Sequence, residues 1–204
     1  MISIVDYGMC NVGSISNMLK KIGVSHNIIS TAAELQLADK IILPGVGAFD
    51  NGMRELANMG LTNTLNAKAL KEKVPVLGIC LGMQLLGNNS EEGCLPGLGW
   101  IKATARKFDF SGLDRSLKIP HMGWNNIQIK RNSPILNNMY SEPRFYFVHS
   151  YHVDCENKEE VIATTRHGFE VAAIIGRDNI FGAQFHPEKS HKFGMKLLEN
   201  FSKI

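Results

Sequence analysis

The stretch "VPVLGICLGMQLLG", residues 74–87, decides the fold prediction because an apolar run there gives way to a helical pattern. Residues 74–79 predict a buried strand, and the residues after it predict a helix. Cys80 lies at the junction, with Gly78 and Gly82 two residues to either side. This pattern is typical of a nucleophile elbow, where glycines are needed because strand and helix crowd together. A buried cysteine in a tight glycine turn is the alternative, and the elbow pattern alone leaves both open.

Strands and helices alternate through the first half of the chain. The apolar runs predict strands at 2–6, 26–30 and 40–45, and the helical patterns predict helices at 11–23, 49–60 and 61–73. The second half is rich in β-branched and aromatic residues and predicts antiparallel strands added to the sheet, at 100–110, 121–130, 144–155, 160–168, 169–178 and 179–185, before a closing helix at 189–204. The predicted fold is α/β: an open, mostly parallel sheet with helices on both faces and added antiparallel strands. No repeat or linker is seen, so we expect a single domain spanning 1–204.

Composition excludes several classes of function. The 204 residues carry a net charge of +3 that is dispersed along the chain, which argues against nucleic-acid binding. None of the four cysteines forms a C-x-x-C pair, so the sequence implies neither a zinc site nor a thioredoxin-like site, and it implies no organic cofactor. No run approaches the length of a membrane span, and the first residues lack the features of a signal peptide. We therefore expect a cytoplasmic protein with reduced thiols.

A cysteine nucleophile needs a base and a group that orients the base. His186 follows a predicted buried strand in "GAQFHPEKS", and Glu188 stands two residues on. Cys80, His186 and Glu188 are therefore candidates for a catalytic triad, although His-Pro-Glu could also be a simple strand-ending turn. The other six histidines are less persuasive candidates for the base. At the start of the predicted helix, the dipole favours a Cys80 thiolate, and the Leu81 N–H is a candidate oxyanion donor.

A second glycine group, "LPGVGAFD" at residues 43–50, ends a strand and opens a helix. Its N–H groups could cradle a phosphate, but the Lys-Ser/Thr of a P-loop is missing. A second oxyanion donor beside the elbow fits the pattern better.

Together, "PGVG" (44–47), "GICLGMQLL" (78–86) and "QFHPE" (184–188) resemble class I glutamine amidotransferases, in order and over essentially the whole chain. The resemblance implies that Cys80 attacks the side-chain amide of glutamine while His186 and Glu188 handle the protons. A glutamyl thioester forms and is hydrolysed, releasing ammonia and glutamate. The family pattern also places six further residues around bound glutamine: Gly45, Val46, Gly47, Gln84, Ser150 and Tyr151.

A narrower resemblance rests on "VDYGMCNVGSI", "YFVHSY" and above all "PHMGWN" at residues 120–125. These motifs are similar to those of the glutaminase subunits of imidazole glycerol phosphate synthases, which act in histidine biosynthesis. The likeness implies a heterodimer in which ammonia passes to a (β/α)8-barrel cyclase. It assigns a docking face to Asn11, Met122, Trp124, Tyr146 and Lys189. Cys10 departs from the family, which usually has glycine there.

Three other interpretations compete with this one. Paralogous subunits look to supply ammonia to sugar amidotransferases in surface-polysaccharide pathways. A non-catalytic docking subunit with the same fold is disfavoured because Cys80, His186 and Glu188 are all present. A cysteine hydrolase of the α/β-hydrolase type is disfavoured because its acid normally precedes its histidine at some distance, whereas here the acid follows by two residues.

Overall fold

The computed structural model describes residues 1–112 and 117–204. The strands of the first half are β1 (Ile2–Val5), β2 (His26–Ile29), β3 (Ile41–Gly45) and β4 (Val76–Cys80). The helices between and after them are α1 (Val12–Lys21), α2 (Ala32–Gln36), α3 (Phe49–Asn58), α4 (Leu61–Asn66) and α5 (Leu81–Leu85), with a π-helical turn, Ala67–Lys71, continuing α4. The sequence analysis missed α2, although Thr31 and Glu34 form its capping box.

The described part of the second half, which lacks residues 113–116, contributes nine strands and the last helix. The strands are β5 (Asn89–Ser90), β6 (Ala103–Lys107), β7 (His121–Asn126), β8 (Gln128–Ile129), β9 (Arg144–His149), β10 (Tyr151–Cys155), β11 (Val161–His167), β12 (Phe169–Arg177) and β13 (Ile180–Ala183). Helix α6 covers His191–Ser202. The run predicted as one strand at 144–155 breaks at Ser150 into β9 and β10.

Within the described residues, the main sheet has eight strands in the order β2-β1-β3-β4-β13-β12-β11-β8. Its first five strands are parallel, and β12, β11 and β8 follow as antiparallel neighbours. This confirms the predicted fold class. One detail differs: β5, β6 and β10 form a separate three-stranded sheet, and β7 and β9 form a two-stranded one. The alternation of residues that predicts a strand does not say which sheet the strand joins.

Helices cover both faces of the main sheet, as predicted. On one face, α1 and α6 bury Leu19 and Leu197 against inward residues such as Ile42 and Leu77. On the other face, α2 to α5 pack against Leu43 and Val76. Neighbouring residues of β3 and β4 therefore point into different cores, which explains why these strands are apolar throughout. Among residues 1–112 and 117–204, no helix is long and apolar enough to cross a membrane.

The glycines beside Cys80 are explained by close backbone contacts. A Cβ on Gly78 would lie 2.6 Å from the carbonyl oxygen of Gly82, which is the strand-to-helix crowding that the elbow pattern predicts. A Cβ on Gly82 would overlap the carbonyl oxygen of Leu43, so this second glycine lets α5 approach the neighbouring strand β3. Both contacts involve backbone atoms, which cannot move aside as a flexible side chain can.

We therefore expect Gly82→Ala to lower the free energy of unfolding by about 3 kcal/mol, near the top of the range for overpacking a core. Gly13→Ala is the matched control, because a Cβ there would meet only the Asn11 side chain at 3.4 Å, and alanine favours the helix. Urea unfolding of both variants measures the difference. Equal stabilities would show that α5 does not depend on this close approach.

Candidate active site

Cys80 ends β4 and immediately precedes α5, in a backbone conformation that few non-glycine residues adopt. Its φ is +54° and its ψ is −109°. Such strain persists only where the surroundings hold it, and it clusters at functional sites. Here the hydrogen bonds of β3 and β13 to either side of β4 hold the strand end in place. The side chain is buried, and the Gln184 amide donates a weak hydrogen bond to its sulfur over 3.9 Å.

His186 and Glu188 lie directly after β13, the strand beside β4. The Nδ1 of His186 is 2.7 Å from an oxygen of Glu188, and both side chains are largely buried. The turn is anchored through its backbone: the His186 N–H donates to the Tyr146 carbonyl, and the Ser190 hydroxyl donates to the His186 carbonyl. The other ring nitrogen of His186, Nε2, is buried and has no hydrogen-bond partner within the described residues.

The charges around His186 favour its protonated form. Burial alone lowers the pKa of an imidazole, but the interactions with Cys80 and Glu188 outweigh it and raise the pKa of His186 to about 9. The ring can therefore hold a proton at neutral pH while facing the thiol. This is the arrangement that an ion pair between a thiolate and an imidazolium requires.

The other cysteines differ from Cys80 in their surroundings. Burial, reinforced by Asp6, raises the pKa of Cys10 to about 12. Burial likewise raises the pKa of Cys155 to about 12, with Glu160 adding to it. Cys94 is exposed on the surface. Of the four cysteines, Cys80 is the one whose interaction helps to raise the pKa of His186, the ring paired with Glu188.

A pocket of about 450 Å³ opens at Cys80. It brings together most of the residues that the family pattern assigns to glutamine, and His186 and Lys189 also line it. The expected residues in its wall are Val46, Gly47, Leu81, Gln84, Ser150 and Tyr151. Gly45 and Glu188 instead line a neighbouring pocket of about 230 Å³, together with Cys10 and Asn11. Val46, His186 and Lys189 line both pockets.

The loop around Val46 adopts a conformation in which the Val46 N–H cannot be the second oxyanion donor that the sequence predicts. The Val46 N–H donates a 2.6 Å hydrogen bond to the Met9 carbonyl, so it is not free to donate to a group on Cys80. Gly47 has a φ of +101°, which suits glycine and allows the loop to turn sharply. Gly45 must also be small, because a Cβ there would lie 2.5 Å from the Tyr7 hydroxyl.

The residues expected at a docking face are partly gathered by β7 and β9. Trp124 lies edge-on to Tyr146 with ring centroids 6.3 Å apart, and the Lys189 ammonium lies 5.8 Å from the Tyr146 ring. Met122 is 63% exposed and Trp124 is 43% exposed, so two large apolar side chains lie on the same outward side of β7. Asn11 precedes α1, where its side chain accepts from the Ser14 N–H, and it lines the 230 Å³ pocket together with Lys189.

The sequence analysis missed two polar residues of the pocket. Glu92 lines it, and one Glu92 oxygen accepts from the Phe49 N–H over 2.8 Å. The stretch "SEEG" (90–93), which contains Glu92, carries no chemical signal of its own. His149 lines the pocket beside Ser150, and its position next to "SY" was the only available hint. Within the described residues, no cluster of His, Cys, Asp and Glu could hold a metal ion.

Comparisons with known proteins agree with this geometry. The chain is 53% identical over 203 residues to imidazole glycerol phosphate synthase subunit HisH 2 of Methanococcus maripaludis, covering 100% of this chain and 99% of that protein. It is 44% identical over 204 residues to subunit HisH of Leptospira borgpetersenii and 45% identical over 204 residues to subunit HisH 2 of Pseudomonas aeruginosa, with both proteins of each pair fully covered.

Solved structures share the fold at low sequence identity. PurLQS from Thermotoga maritima has a TM-score of 0.75 and 20% identity, covering 99% of this chain and 97% of that one. A structure described as a glutamine amidotransferase has a TM-score of 0.71 and 16% identity, with both chains fully covered. The family described as "Glutamine amidotransferase class-I" matches residues 3–204. This chain therefore belongs to the class I glutamine amidotransferases.

Proposed function

We propose that the protein is the glutaminase subunit of an imidazole glycerol phosphate synthase, and that it hydrolyses glutamine through Cys80, His186 and Glu188. The observation that carries the proposal is the pairing of His186 with Glu188 beside the strained Cys80. The relatives above are all named as subunits of this synthase. They support a histidine-pathway partner, and none of them supports the sugar amidotransferase alternative.

The proposed reaction has two stages. The Cys80 sulfur attacks the side-chain amide carbon of glutamine, forming a C–S bond and a tetrahedral intermediate with a negative oxygen. His186 then gives its proton to the nitrogen, the C–N bond breaks, and ammonia leaves a glutamyl thioester on Cys80. Water, deprotonated by His186, attacks the thioester, and the C–S bond breaks to release glutamate. Glu188 orients the ring and stabilises the imidazolium.

Glutamine recognition would use the walls of the 450 Å³ pocket. The N–H of Leu81, at the start of α5, is the expected donor to the oxyanion. Glu92 supplies a carboxylate in the wall, and its negative charge suits the α-ammonium group of an amino acid. The backbone of Ser150 and Tyr151 borders the pocket on another side.

Control of the reaction is proposed to lie in the Val46 loop. With its N–H bonded to Met9, the second oxyanion donor is missing, and removing one such donor typically costs about 10²–10³ in rate. The isolated chain would then hydrolyse glutamine slowly, and a partner that frees the Val46 N–H would accelerate it. The partner's ligand must bind the active state better than the inactive state to cause this shift.

The proposed partner is a (β/α)8-barrel cyclase in a heterodimer. It would dock on the face formed by Met122, Trp124, Tyr146 and Lys189, with Asn11 nearby, and would receive ammonia there. Strands from both halves of the chain form one sheet, which supports a single glutaminase domain over residues 1–204. We also propose a cytoplasmic location, since the proposed role is biosynthetic. The substrate is glutamine, and the role requires neither a nucleic acid nor a membrane.

Cys80→Ser should abolish glutamine hydrolysis, because a serine hydroxyl is far less ionised than a thiol at neutral pH. His186→Ala should be nearly as inactive, because one imidazole serves both proton transfers. Cys94→Ser is the matched control and should keep wild-type turnover, since Cys94 is exposed. The measurement for all three variants is glutamate release with the barrel subunit present. Wild-type turnover in Cys80→Ser would overturn the assignment of the nucleophile.

The pairing with Glu188 should be visible in the pH dependence of stability. A histidine with an ordinary pKa of about 6.5 in the unfolded chain and about 9 in the fold stabilises the fold fully below pH 6.5. That contribution is lost as the pH rises toward 9. Glu188→Gln removes one cause of the raised pKa, so its free energy of unfolding should fall less between pH 6.5 and 9. Parallel urea titrations at both pH values measure this, and equal losses would contradict the pairing.

Trp124→Ala should weaken partner binding and partner-stimulated turnover more than basal turnover, because exposed aromatic side chains often anchor interfaces. Leu37→Ala is the matched control: Leu37 is 82% exposed but follows α2, away from β7. The measurement is glutamate production over a titration of the barrel subunit, with and without its ligand. If the isolated protein hydrolyses glutamine as fast as it does with the barrel subunit and its ligand, the proposed control by the Val46 loop is refuted. Stimulation by a sugar amidotransferase alone would refute the histidine-pathway partner.

A further inference from the structure

A cluster of aromatic rings lies beside the glutamine pocket, and the mechanism above does not use it. Four of the seven histidines gather around Phe108: His121, His149, His152 and His167. Their ring centroids lie 5.0–6.4 Å from that of Phe108. Of these histidines, only His149 lines the pocket at Cys80.

Two rings of the cluster are joined in a hydrogen-bond chain. The Nδ1 of His121 is 3.0 Å from Nε2 of His149, and the Nδ1 of His149 is 2.8 Å from the carbonyl oxygen of Tyr151. At the other end, the Asn125 side-chain nitrogen is 3.2 Å from Nε2 of His121 and 2.9 Å from the carbonyl oxygen of Arg166. The chain therefore runs between two backbone carbonyls.

These carbonyls fix the direction of every hydrogen bond. A carbonyl can only accept, so Nδ1 of His149 must carry the hydrogen that Tyr151 receives. In a neutral ring Nε2 is then an acceptor, and it must receive a hydrogen from Nδ1 of His121. The same reasoning makes Nε2 of His121 an acceptor from Asn125. The amide of Asn125 must be a donor here, because its nitrogen also faces the Arg166 carbonyl.

Both rings are neutral near pH 7. Burial, assisted by the neighbouring His167, lowers the pKa of His121 to about 4. Burial lowers the pKa of His149 to about 3 and outweighs the hydrogen bond to Tyr151. Each ring therefore has one donor and one acceptor, and the chain uses all four ring nitrogens.

The chain ends on a backbone carbonyl that is held from two sides. Besides His149, the side-chain nitrogen of Gln84 lies 3.3 Å from the Tyr151 carbonyl. Gln84 belongs to α5, which starts at Cys80. Both lone pairs of the carbonyl thus have donors, one from the nucleophile's helix and one from the histidine chain. The backbone at Ser150 and Tyr151 is fixed relative to Cys80 by these two hydrogen bonds.

The chain begins on the strand that carries the proposed docking face. Residues of β7 alternate between its two sides, so Met122 and Trp124 are exposed while His121 is buried and Asn125 is partly buried. The side chains that would contact a partner and those that begin the hydrogen-bond chain are therefore immediate neighbours on one strand. A displacement of β7 would be transmitted to the Tyr151 carbonyl through the rigid rings of His121 and His149.

We propose that Asn125, His121 and His149 are positioning residues: their one-directional hydrogen-bond chain holds the Tyr151 backbone of the glutamine pocket and ties it to strand β7. The proposal rests on the glutaminase function proposed above for its catalytic consequence. The existence and direction of the hydrogen-bond chain can be tested without glutamine.

The first test is the tautomer of each ring, measured by long-range ¹H–¹⁵N correlation on the full chain with labelled histidine at pH 7. His149→Asn and His121→Asn identify the two sets of signals. We expect both rings to be neutral and protonated at Nδ1. An Nε2-protonated His149 would overturn the proposal, because it would leave a lone pair facing the Tyr151 carbonyl. This result stands whether or not the protein releases glutamate.

The second test is the kinetics of glutamine hydrolysis with the barrel subunit present. His149→Phe keeps an aromatic ring but cannot donate, and it should lower kcat/KM by about 10–100-fold, mainly through KM, as expected for a misplaced binding group. His149→Asn can place an N–H where Nδ1 lies and should stay within about 3-fold of wild type. His167→Phe is the matched control, because His167 stacks on His121 but bonds to the Lys118 carbonyl outside the chain.

The outcomes separate the proposals. If His149→Phe keeps wild-type kcat/KM, or if His167→Phe loses as much, positioning by the chain is refuted. His121→Phe should lower kcat/KM at least about 3-fold, whereas His121→Asn should not. If His121→Phe has no effect, the proposed link between strand β7 and the Tyr151 carbonyl is refuted. If the wild type releases no glutamate, the proposed function fails. The tautomers of His121 and His149 still decide whether the hydrogen-bond chain exists. Circular dichroism identifies any variant that does not fold.

Discussion

The close approach of α5 to the sheet is the constraint on which the rest of the site depends. Gly82 allows the helix backbone to reach the Leu43 carbonyl of β3, and Gly78 allows the turn between strand and helix. Cys80 is thereby held at a φ of +54°, with its side chain lining the pocket. The parallel neighbours β3 and β13 then bring the Val46 loop and His186 to the same sheet edge. Open α/β sheets place their sites at this edge, outside the carboxyl ends of the strands.

The sequence predicted much of the first half of the fold well because β1, β3 and β4 are buried on both faces. Such strands read as short apolar runs, and β1, β3 and β4 lie within about two residues of their predicted bounds. Pairing in the second half depends on contacts distant in sequence. Strands β6, β7, β9 and β10 were predicted as additions to the main sheet in the same way as β11 and β12, yet they belong to two small sheets.

The candidate site was predictable where residue type carries the chemistry. Cys80, His186 and Glu188 follow from a nucleophile at an elbow and a histidine with a nearby acid. Backbone orientation was not predictable: no side chain reveals that the Val46 N–H faces the Met9 carbonyl. The role inferred for His149 also escaped the sequence, because its partners Tyr151 and His121 are joined to it by hydrogen bonds that only the folded chain defines.

The backbone hydrogen bond from His186 to the Tyr146 carbonyl has a consequence for how such a subunit can diversify. Tyr146 lies in β9, whose side chains form part of the proposed docking face, but its main chain supports the histidine whatever side chain is attached. Substitutions on the outward face can therefore change which partner is recognised without moving the imidazole. A fold built in this way can be reused by synthases with different acceptors, since recognition is encoded in side chains and the chemistry is supported by peptide groups.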